Sequence, residues 1–505
     1  MGAGMACVDQ ALRRLQGVFS ASPNDTSFQN ATDIDNRRAR VQPLVVVWPV
    51  SDADVALAIR AAQRCRLSFS VVSGGHGAAG YQLAKGGLTL SMERMAAVSV
   101  NAQSGEMVVQ PGARFGDIYR AVVESPEWIP VGGGCPRVAP GGYYTGGGWS
   151  FLSRSYGLAI DTLLSVTTVL ANGTIAVANG SSRCTSACRD LWWASRGGGG
   201  GNFGVVTQYR VRLQHAPREI LVGQLCWAAD LGALGEVWQW LLDAYPTMPS
   251  WLQIDPAWLP LGVNRTRLFC YTVICNNEDE AACRELVRPV ANQPDIVLDT
   301  LQMRSFLSWQ LEHGSVTAAQ HGYLYLSNFV MQDGVVSAER IQRLQRAVLT
   351  SPSPRNLVLF HMGGGKVAEI GEAATAFPHR RAQFVLQVKA IWDDDNQVTR
   401  TENMAWVASL KAWLTPLASG SYVNYVDPLL ADWERMYYST NYARLRAVKA
   451  ALDPRNFFSF NQSIRPAPAG FDTNGHSRGG MWTDGSLETS GNVRASSISS
   501  SAQAN

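Results

Sequence analysis

The sequence predicts an α+β fold with two or three domains. At 505 residues the chain is too long for a single hydrophobic core. Its glycines are unevenly spread, because 29 of the 47 lie in the first 215 residues. Strand and helix patterns alternate in this first part and are mixed in the part that follows. We therefore expect a glycine-rich region over residues 1–215 that binds a ligand, and a second region with an ordinary core over residues 216–427.

The composition excludes several classes of partner. With 46% apolar and 16% charged residues, the chain is typical of a globular protein. A net charge of +3 without a basic run gives no indication of nucleic-acid binding. No apolar stretch reaches the roughly 18 residues that a membrane span needs. The seven histidines show no paired spacing typical of metal ligands, so we expect no metal site.

The first element is a β-α-β unit that ends in a glycine turn. A strand in VVVW leads to Ser51, which is placed to cap a helix whose apolar residues follow helical spacing. A second strand over residues 67–72 then enters the turn SGGHG, which contains His76. Glycine allows the backbone to approach a ligand closely, and α/β sheets often bind ligands at such strand ends. Alternatively, a lone histidine there is only a polar turn residue.

Two more glycine blocks follow. After a predicted helix in DIYRAVVES, the block VGGGCPRVAPGGYYTGGG contains Cys135, and the block SRGGGGGNFG precedes a strand. Three such blocks at strand ends indicate a large phosphate-bearing ligand, because bare backbone N–H groups can hold a pyrophosphate. None of them matches the GxGxxG or GxxxxGK[ST] pattern in its proper setting. Cys135 is alternatively a buried structural thiol.

The rest of the chain mixes helices and strands. We predict a helix in CWAADLGALGEVWQWLLDAYP, a strand in FVLQVKAIW, and a helix in NYARLRAVKAALDPRNFF that Pro454 stops. From residue 466 to 505 the composition is rich in Gly, Ser and Asn, which predicts a disordered tail.

The nine cysteines are an odd number, so one stays single or is attached to another group. Cys184 and Cys188 are spaced for a local disulfide, with a zinc half-site as the weaker alternative. Six N-x-S/T sequons suit an extracellular chain. We therefore expect a secreted protein whose signal peptide is not present in this chain.

Several motifs together resemble one family. They are SGGHG, GGGCP, YGLAIDTLLSVTTVLANG, LWWASRGGGGGNFGVV, YVNYVDPLL and DPRNFFSFNQSI. These motifs are similar to those of FAD-linked oxidases of the vanillyl-alcohol-oxidase type, in the berberine-bridge-enzyme-like branch that includes oligosaccharide oxidases. The resemblance covers roughly residues 40–215 and 420–465. It implies a two-part FAD-binding domain of the PCMH type (1–215), a substrate domain with an antiparallel sheet covered by helices (216–427), and a C-terminal element returning to the FAD domain (428–465).

The same resemblance implies FAD held by two covalent bonds. His76 would attach to the 8α-methyl group and Cys135 to C6 of the flavin ring, which leaves eight cysteines for disulfides. The cofactor-binding residues that it implies are Ser73, Gly74, Gly75, His76, Gly77, Cys135, Gly141, Gly142, Gly146, Gly147, Gly148, Gly157, Leu158, Asp161, Gly204, Val205 and Asn461.

For catalysis, the family implies hydride transfer to flavin N5 while a side chain takes the hydroxyl proton. Tyr425 matches the catalytic tyrosine, with a packing aromatic as the weaker alternative when the family is set aside. His361 stands where sugar-oxidising relatives have a carboxylate. Asn396 follows an acidic run and is either a site where an acid is missing or a surface turn residue. Near Cys135, Ala139 and Pro140 depart from the family pattern, so the sequence leaves oxidase and dehydrogenase open.

For the substrate, the resemblance favours the anomeric C1 hydroxyl of a mono- or oligosaccharide, oxidised to a lactone with O2 as acceptor by a monomeric enzyme. Trp392 is a candidate for stacking on a sugar, and Asp394 and Asp395 for binding its hydroxyls, with core packing and a solvated charge run as alternatives. An oxidase or dehydrogenase of aromatic alcohols, of the monolignol type, is a second possibility. A glycoside hydrolase using the carboxylates of residues 393–395 is a third, from another class.

Overall fold

The computed structural model describes residues 2–228, 234–260, 267–293, 295–317 and 322–468. Its strands are β1 (Val18–Ser20), β2 (Val45–Trp48), β3 (Phe69–Val72), β4 (Leu88–Ser91), β5 (Val98–Asn101), β6 (Glu106–Val109), β7 (Trp128–Ile129), β8 (Leu163–Val169), β9 (Ile175–Asn179), β10 (Val205–Arg212), β11 (Gln214–His215), β12 (Ile220–Ala228), β13 (Leu252–Leu259), β14 (Leu268–Cys275), β15 (Ile296–Asp299), β16 (Gln302–Arg304), β17 (Tyr323–Met331), β18 (Leu357–Met362) and β19 (Phe384–Trp392).

The helices lie between and after these strands. They are α1 (Gly2–Ala11), α2 (Thr26–Thr32), α3 (Asp52–Arg64), α4 (Phe115–Val122), α5 (Pro140–Thr145), α6 (Ser153–Tyr156), α7 (Ser186–Ala194), α8 (Leu234–Ala244), α9 (Glu280–Ala291), α10 (Phe306–Thr317), α11 (Ala338–Leu349), α12 (Gln397–Leu414), α13 (Trp433–Tyr438) and α14 (Tyr442–Leu452). No helix in the described part of the chain is both long and apolar enough to cross a membrane.

The first sheet contains the predicted β-α-β unit. Its strand order is β1-β2-β4-β3, and β4 is parallel to both β2 and β3. Helix α3 connects β2 to β3, and the side chain of Ser51 accepts the backbone N–H of Asp54 at its N-terminus. The strand predicted to lead into the SGGHG turn is therefore β3, which lies at the edge of this sheet.

The second sheet is antiparallel, with the order β5-β6-β10-β8-β9. Strand β10 starts at Val205, directly after the third glycine block, and lies at the centre of the sheet. The glycine block is thereby fixed to a buried strand at its C-terminal end.

The third sheet has the order β15-β12-β14-β13-β18-β19-β17, with β16 also paired to β12. All its pairings are antiparallel. Helices α8, α9, α11 and α12 pack on one face, where Trp238, Val287, Leu344 and Val407 join the buried residues of the strands. The α+β fold with a helix-covered antiparallel sheet is thus confirmed, while the exact domain limits at residues 215, 427 and 465 stay a prediction.

One predicted element is wrong at its start. Among the described residues the expected helix covers Leu234–Ala244, whereas residues 226–228, where it was to start, belong to strand β12. This strand pairs with β14 on one side and with β15 and β16 on the other, and Cys226 is bonded to Cys270 across the β12–β14 pair. Tertiary pairing therefore overrides the helical pattern.

Disulfides join eight of the nine cysteines, as expected. The pairs are Cys7–Cys65, Cys184–Cys188, Cys226–Cys270 and Cys275–Cys283. Cys135 is the free thiol.

Buried charged groups connect the glycine-rich part to the third sheet and the C-terminal element. The Arg154 guanidinium, on α6, donates to the backbone carbonyls of Met248 and Leu252, before and at the start of β13, and of Gly363, directly after the end of β18. Lys449, on α14, donates to the Asn202 carbonyl of the third glycine block. The disordered tail predicted from residue 466 lies, from residue 469 onward, outside the described residues.

Candidate active site

The three glycine blocks, the third sheet and the C-terminal element enclose one large cavity. Its volume is about 500 Å³, within the range of ligand sites. Ten of the expected cofactor residues line it: Ser73, Gly74, Gly75, His76, Gly77, Cys135, Gly141, Gly142, Gly204 and Val205. The opposite wall comes from alternate residues of the third sheet, and part of the rim comes from residues 422–426, residues 458–460 and Gln462.

His76 and Cys135 both reach this cavity from turns that follow short elements. Burial lowers the pKa of His76 to about 4, although Asp35, whose carboxylate lies 3.9 Å from Nδ1, opposes the shift. Its imidazole is therefore neutral at neutral pH and keeps a nitrogen lone pair. Burial likewise raises the pKa of the Cys135 thiol. Two side chains able to bond to a ligand thus share one cavity.

The cavity fits a large cofactor with polar groups. A Cβ added to Gly142 would meet no atom within 4 Å, so this glycine leaves open space on the cavity wall. Three buried polar atoms on the lining have no hydrogen-bond partner among the described residues: the Tyr81 hydroxyl, Trp149 Nε1 and Gln462 Oε1. Buried polar atoms normally have a hydrogen-bond partner. A molecule bound in the cavity would supply partners for these three. These observations fit the flavin dinucleotide implied by the motifs.

Seven expected cofactor residues lie outside the lining: Gly146, Gly147, Gly148, Gly157, Leu158, Asp161 and Asn461. Gly146 instead permits close approach of the segment that contains Asn424, since a Cβ on Gly146 would meet the Asn424 side chain at 2.0 Å. The Asp161 carboxylate binds the buried Arg380 guanidinium through two hydrogen bonds and also accepts the Leu158 N–H. Asn461 is exposed. These contacts give several of the seven residues structural roles, and their binding of the cofactor stays a prediction.

Tyr425 and His361 meet at the cavity, although they are 64 residues apart. The Tyr425 hydroxyl lies 2.7 Å from His361 Nε2, and the two rings are nearly parallel. Burial raises the pKa of Tyr425 well above its ordinary value, and the neighbouring Tyr422 and Asp255 add to the shift. The phenol is therefore protonated at neutral pH. It can accept a proton from a substrate only if a partner takes the proton that its hydroxyl already carries.

Asp255 completes this group. Its Oδ2 lies 3.2 Å from His361 Nδ1, on the side of the ring away from Tyr425. The residue is on β13, next to β18, and is 5% exposed. No local pattern marks Asp255 as a site residue, because His361 and Met362, which it meets here, lie more than 100 residues further along the chain.

Gln387 and Lys389 also face the cavity from β19. Lys389 Nζ lies 4.0 Å from the Asp35 carboxylate, and burial lowers the pKa of this lysine. Both residues are polar positions that alternate with buried apolar ones in FVLQVKAIW. Alternate residues of a strand share one face, so this alternation is the sequence pattern that indicates Gln387 and Lys389 on the same face of the sheet.

The remaining predicted residues lie elsewhere. Trp392 is 1% exposed and belongs to the core beneath the helices. Asp394 and Asp395 are exposed, and the Asn396 side chain accepts the Val398 N–H as the N-cap of α12. None of these four residues lines the cavity. The expectation that they bind substrate or assist catalysis is therefore corrected: they are a core aromatic, two surface charges and a helix cap.

Comparison with known proteins identifies two matching domains. Residues 43–179 match the FAD binding domain family, and residues 421–465 match the family described as berberine and berberine like. Each segment contains one part of the cavity lining.

Relatives match over most of the chain. An uncharacterized FAD-linked oxidoreductase of Bacillus subtilis, YvdP, is 28% identical over 88% of this chain and 97% of its own length. Xylooligosaccharide oxidase of Thermothelomyces thermophilus is 26% identical over 92% of this chain and 95% of its own.

Solved structures show the same fold. Berberine bridge enzyme-like 28 of Arabidopsis thaliana superposes with a TM-score of 0.80 at 24% identity, over 92% of this chain and all of that one. A chitooligosaccharide oxidase superposes with a TM-score of 0.78 at 22% identity, also over 92% of this chain and all of that one.

Proposed function

Because the chain belongs to the berberine bridge enzyme-like family and is an FAD-dependent oxidoreductase, we propose that it oxidises the anomeric C1 hydroxyl of a mono- or oligosaccharide to a lactone. The observation that carries the proposal is the Tyr425–His361 hydrogen bond of 2.7 Å at the cavity. A neutral phenol beside an imidazole can take a hydroxyl proton and hand on its own. The xylooligosaccharide oxidase relative supports a sugar as the hydroxyl donor.

We propose that His76 and Cys135 hold FAD by covalent bonds, with the glycines of the cavity wall next to its phosphates and ring. When bound, FAD supplies the two-electron acceptor for the hydride that leaves the substrate carbon. The protein's own contribution is to position the sugar and accept its proton at Tyr425. Gln387 and Lys389, on the same sheet face as His361, supply hydrogen bonds for further hydroxyls of the sugar.

We propose O2 as the final acceptor, which takes two electrons and two protons and leaves as hydrogen peroxide. We also propose a secreted protein, because eight of the nine cysteines form disulfides, which persist in oxidising compartments. The monomeric state stays a prediction. The hydrolase alternative loses its basis, since the carboxylates of residues 393–395 lie outside the cavity.

The substrate is tested by anaerobic titration. Gluco-, xylo- and chito-oligosaccharides are added to the holoprotein, and bleaching of the flavin absorbance is followed. We expect reduction by at least one sugar with a free C1 hydroxyl, and a product one oxygen atom heavier after hydrolysis of the lactone. The matched control is the methyl glycoside of the same sugar, whose C1 oxygen is blocked. Reduction by the methyl glycoside, or by an aromatic alcohol alone, would contradict the proposal.

Attachment of the cofactor is tested by acid precipitation. Flavin should stay in the pellet of the wild-type chain and of each single variant, His76→Ala and Cys135→Ala. The double variant should release all of it. A wild-type chain that releases its flavin would refute the covalent bonds without touching the substrate assignment.

A further inference from the structure

The carboxylate of Asp255 is fixed at both oxygens. Oδ1 accepts the backbone N–H of Met362 at 2.9 Å and the side-chain amide of Gln253 at 3.1 Å. Oδ2 faces His361 Nδ1 at 3.2 Å. Gln253 is held in turn, because its amide also donates to the Ser150 carbonyl. These contacts leave Asp255 one orientation, in which a single oxygen is directed at the imidazole.

An ionised carboxylate accepts hydrogen bonds and cannot donate them. A neutral imidazole has one N–H and one lone pair, so the nitrogen facing Asp255 carries the hydrogen. The other nitrogen, Nε2, then presents its lone pair to the Tyr425 hydroxyl 2.7 Å away. We infer that Asp255 is a positioning residue that sets the tautomer of His361, and thereby makes the Tyr425–His361 pair a proton acceptor.

This inference rests on the proposed oxidation of an alcohol and gives the path of its proton. The substrate hydroxyl donates its proton to the Tyr425 oxygen while the tyrosine proton moves to His361 Nε2. Bound FAD would supply the acceptor for the hydride of the same substrate carbon, so the substrate would lose one hydride and one proton and become a carbonyl. His361 is then cationic beside the Asp255 carboxylate, an ion pair that stabilises the charge formed. Loss of that proton to water restores the neutral ring.

The first test is Asp255→Asn. The oxygen of the new amide stays with the Met362 N–H, which needs an acceptor, so the amide nitrogen faces His361 and donates to Nδ1. The imidazole must then carry its hydrogen on Nε2, where it can no longer accept from Tyr425. We expect the limiting rate of anaerobic flavin reduction to fall about 100-fold or more, with the substrate Kd within about threefold of wild type. A wild-type rate in this variant would overturn the inference.

A second test separates positioning from structural support. In a His361→Glu background, the glutamate carboxylate pairs directly with Tyr425 and no tautomer is involved. Asp255→Asn should then be neutral or should raise the rate, because it removes a like charge and its amide can donate to the glutamate. The same substitution thus lowers the rate in one background and not in the other. An equal loss in both backgrounds would mean that Asp255 only supports the fold.

A third measurement needs no substrate. In the holoprotein labelled with ¹⁵N at histidine, the ring-nitrogen shifts of His361, assigned from their absence in His361→Gln, should report hydrogen on Nδ1 in wild type and on Nε2 in Asp255→Asn. Hydrogen on Nε2 in wild type would refute the inference even if no sugar reduced the flavin. A wild-type chain that no sugar reduces would refute the proposed function alone.

The control variant is Asp54→Asn, in another buried carboxylate that accepts backbone N–H groups, from Gln16, Gly17 and Val50. It lies outside the cavity lining. We expect it to lower the melting temperature and leave flavin reduction unchanged. Slowed reduction in this control would show that lost stability alone slows the reaction, and the effect of Asp255→Asn would then lose its meaning as evidence for a tautomer.

Discussion

The two walls of the cavity are built in different ways. The glycine wall, residues 71–77, 133–142 and 199–205, presents backbone and two reactive side chains. The sheet wall, from β17, β18 and β19, presents side chains from distant parts of the sequence, such as His361 and Lys389. Asp255, on the neighbouring strand β13, contacts His361 but does not line the cavity. We therefore propose that the glycine wall determines which cofactor can enter and that the sheet wall determines which chemistry follows. A substitution on one wall should leave the other function intact.

Tyr425→Phe, at the edge of the sheet wall, is expected to give the largest difference between the two functions: a loss of reaction rate without a loss of flavin. Loss of the hydroxyl removes the group that meets His361 Nε2, so the rate of flavin reduction should fall by about 100- to 10,000-fold. Flavin content and melting temperature should stay close to wild type. Stopped-flow reduction under nitrogen measures the rate. A variant that loses its flavin as well would contradict the proposal that the glycine wall binds the cofactor and the sheet wall carries the chemistry.

The next effect is on the glycine wall. Gly142→Leu would place a side chain in open space on the cavity wall and should reduce flavin content, corresponding to a roughly 10- to 100-fold weaker affinity. The ratio of flavin to protein absorbance in the purified chain gives the content. The matched control is Gly371→Leu, at an exposed glycine that also has open space around its Cβ position. Normal flavin content in Gly142→Leu would mean that the cofactor does not lie against α5, the helix that contains Gly142.

The sequence revealed the glycine wall because its signal is local. The SGGHG turn and Cys135 each stand within a few residues of the glycines that accompany them, and both reach the cavity. The sheet wall depends on pairing: Asp255 meets His361 only because β13 and β18 are neighbours in an antiparallel sheet. Strand order and register are set by long-range contacts that a single sequence does not display. For the same reason the sequence does not distinguish a substrate site from an exposed segment in the acidic run after β19, which leads over the surface into α12.

A smaller effect is expected from Gln387→Ala on the sheet wall. Loss of one hydrogen bond to a sugar hydroxyl should raise KM about tenfold and change kcat little, because this side chain takes no part in the proton transfer. Steady-state oxidation of the best sugar from the titration panel gives both constants. If kcat falls while KM stays constant, Gln387 acts in the chemical step and the sheet wall has more catalytic members than we propose.

The smallest effect is expected at Asn396. Its side chain caps α12, and aspartate is an equally good N-cap, so Asn396→Asp should change the flavin reduction rate less than twofold and stability by under about 0.5 kcal/mol. Asn396→Ala, which cannot cap, should cost about 1 kcal/mol, measured by urea unfolding. A clear gain in rate for Asn396→Asp would place this position on the sheet wall after all.

The Arg154 side chain limits how such an enzyme can be recombined. One guanidinium from α6 donates hydrogen bonds to carbonyl groups beside two different strands of the third sheet. The region that contains α6 and the third sheet therefore each lose native hydrogen bonds without the other. A chimera that joins this FAD-binding region to the sheet of a relative will keep its cavity only if the turns before β13 and after β18 present carbonyls to the same arginine. Exchange of catalytic sheets between family members is therefore governed by the backbone geometry of those two turns more than by the side chains of the sheet itself.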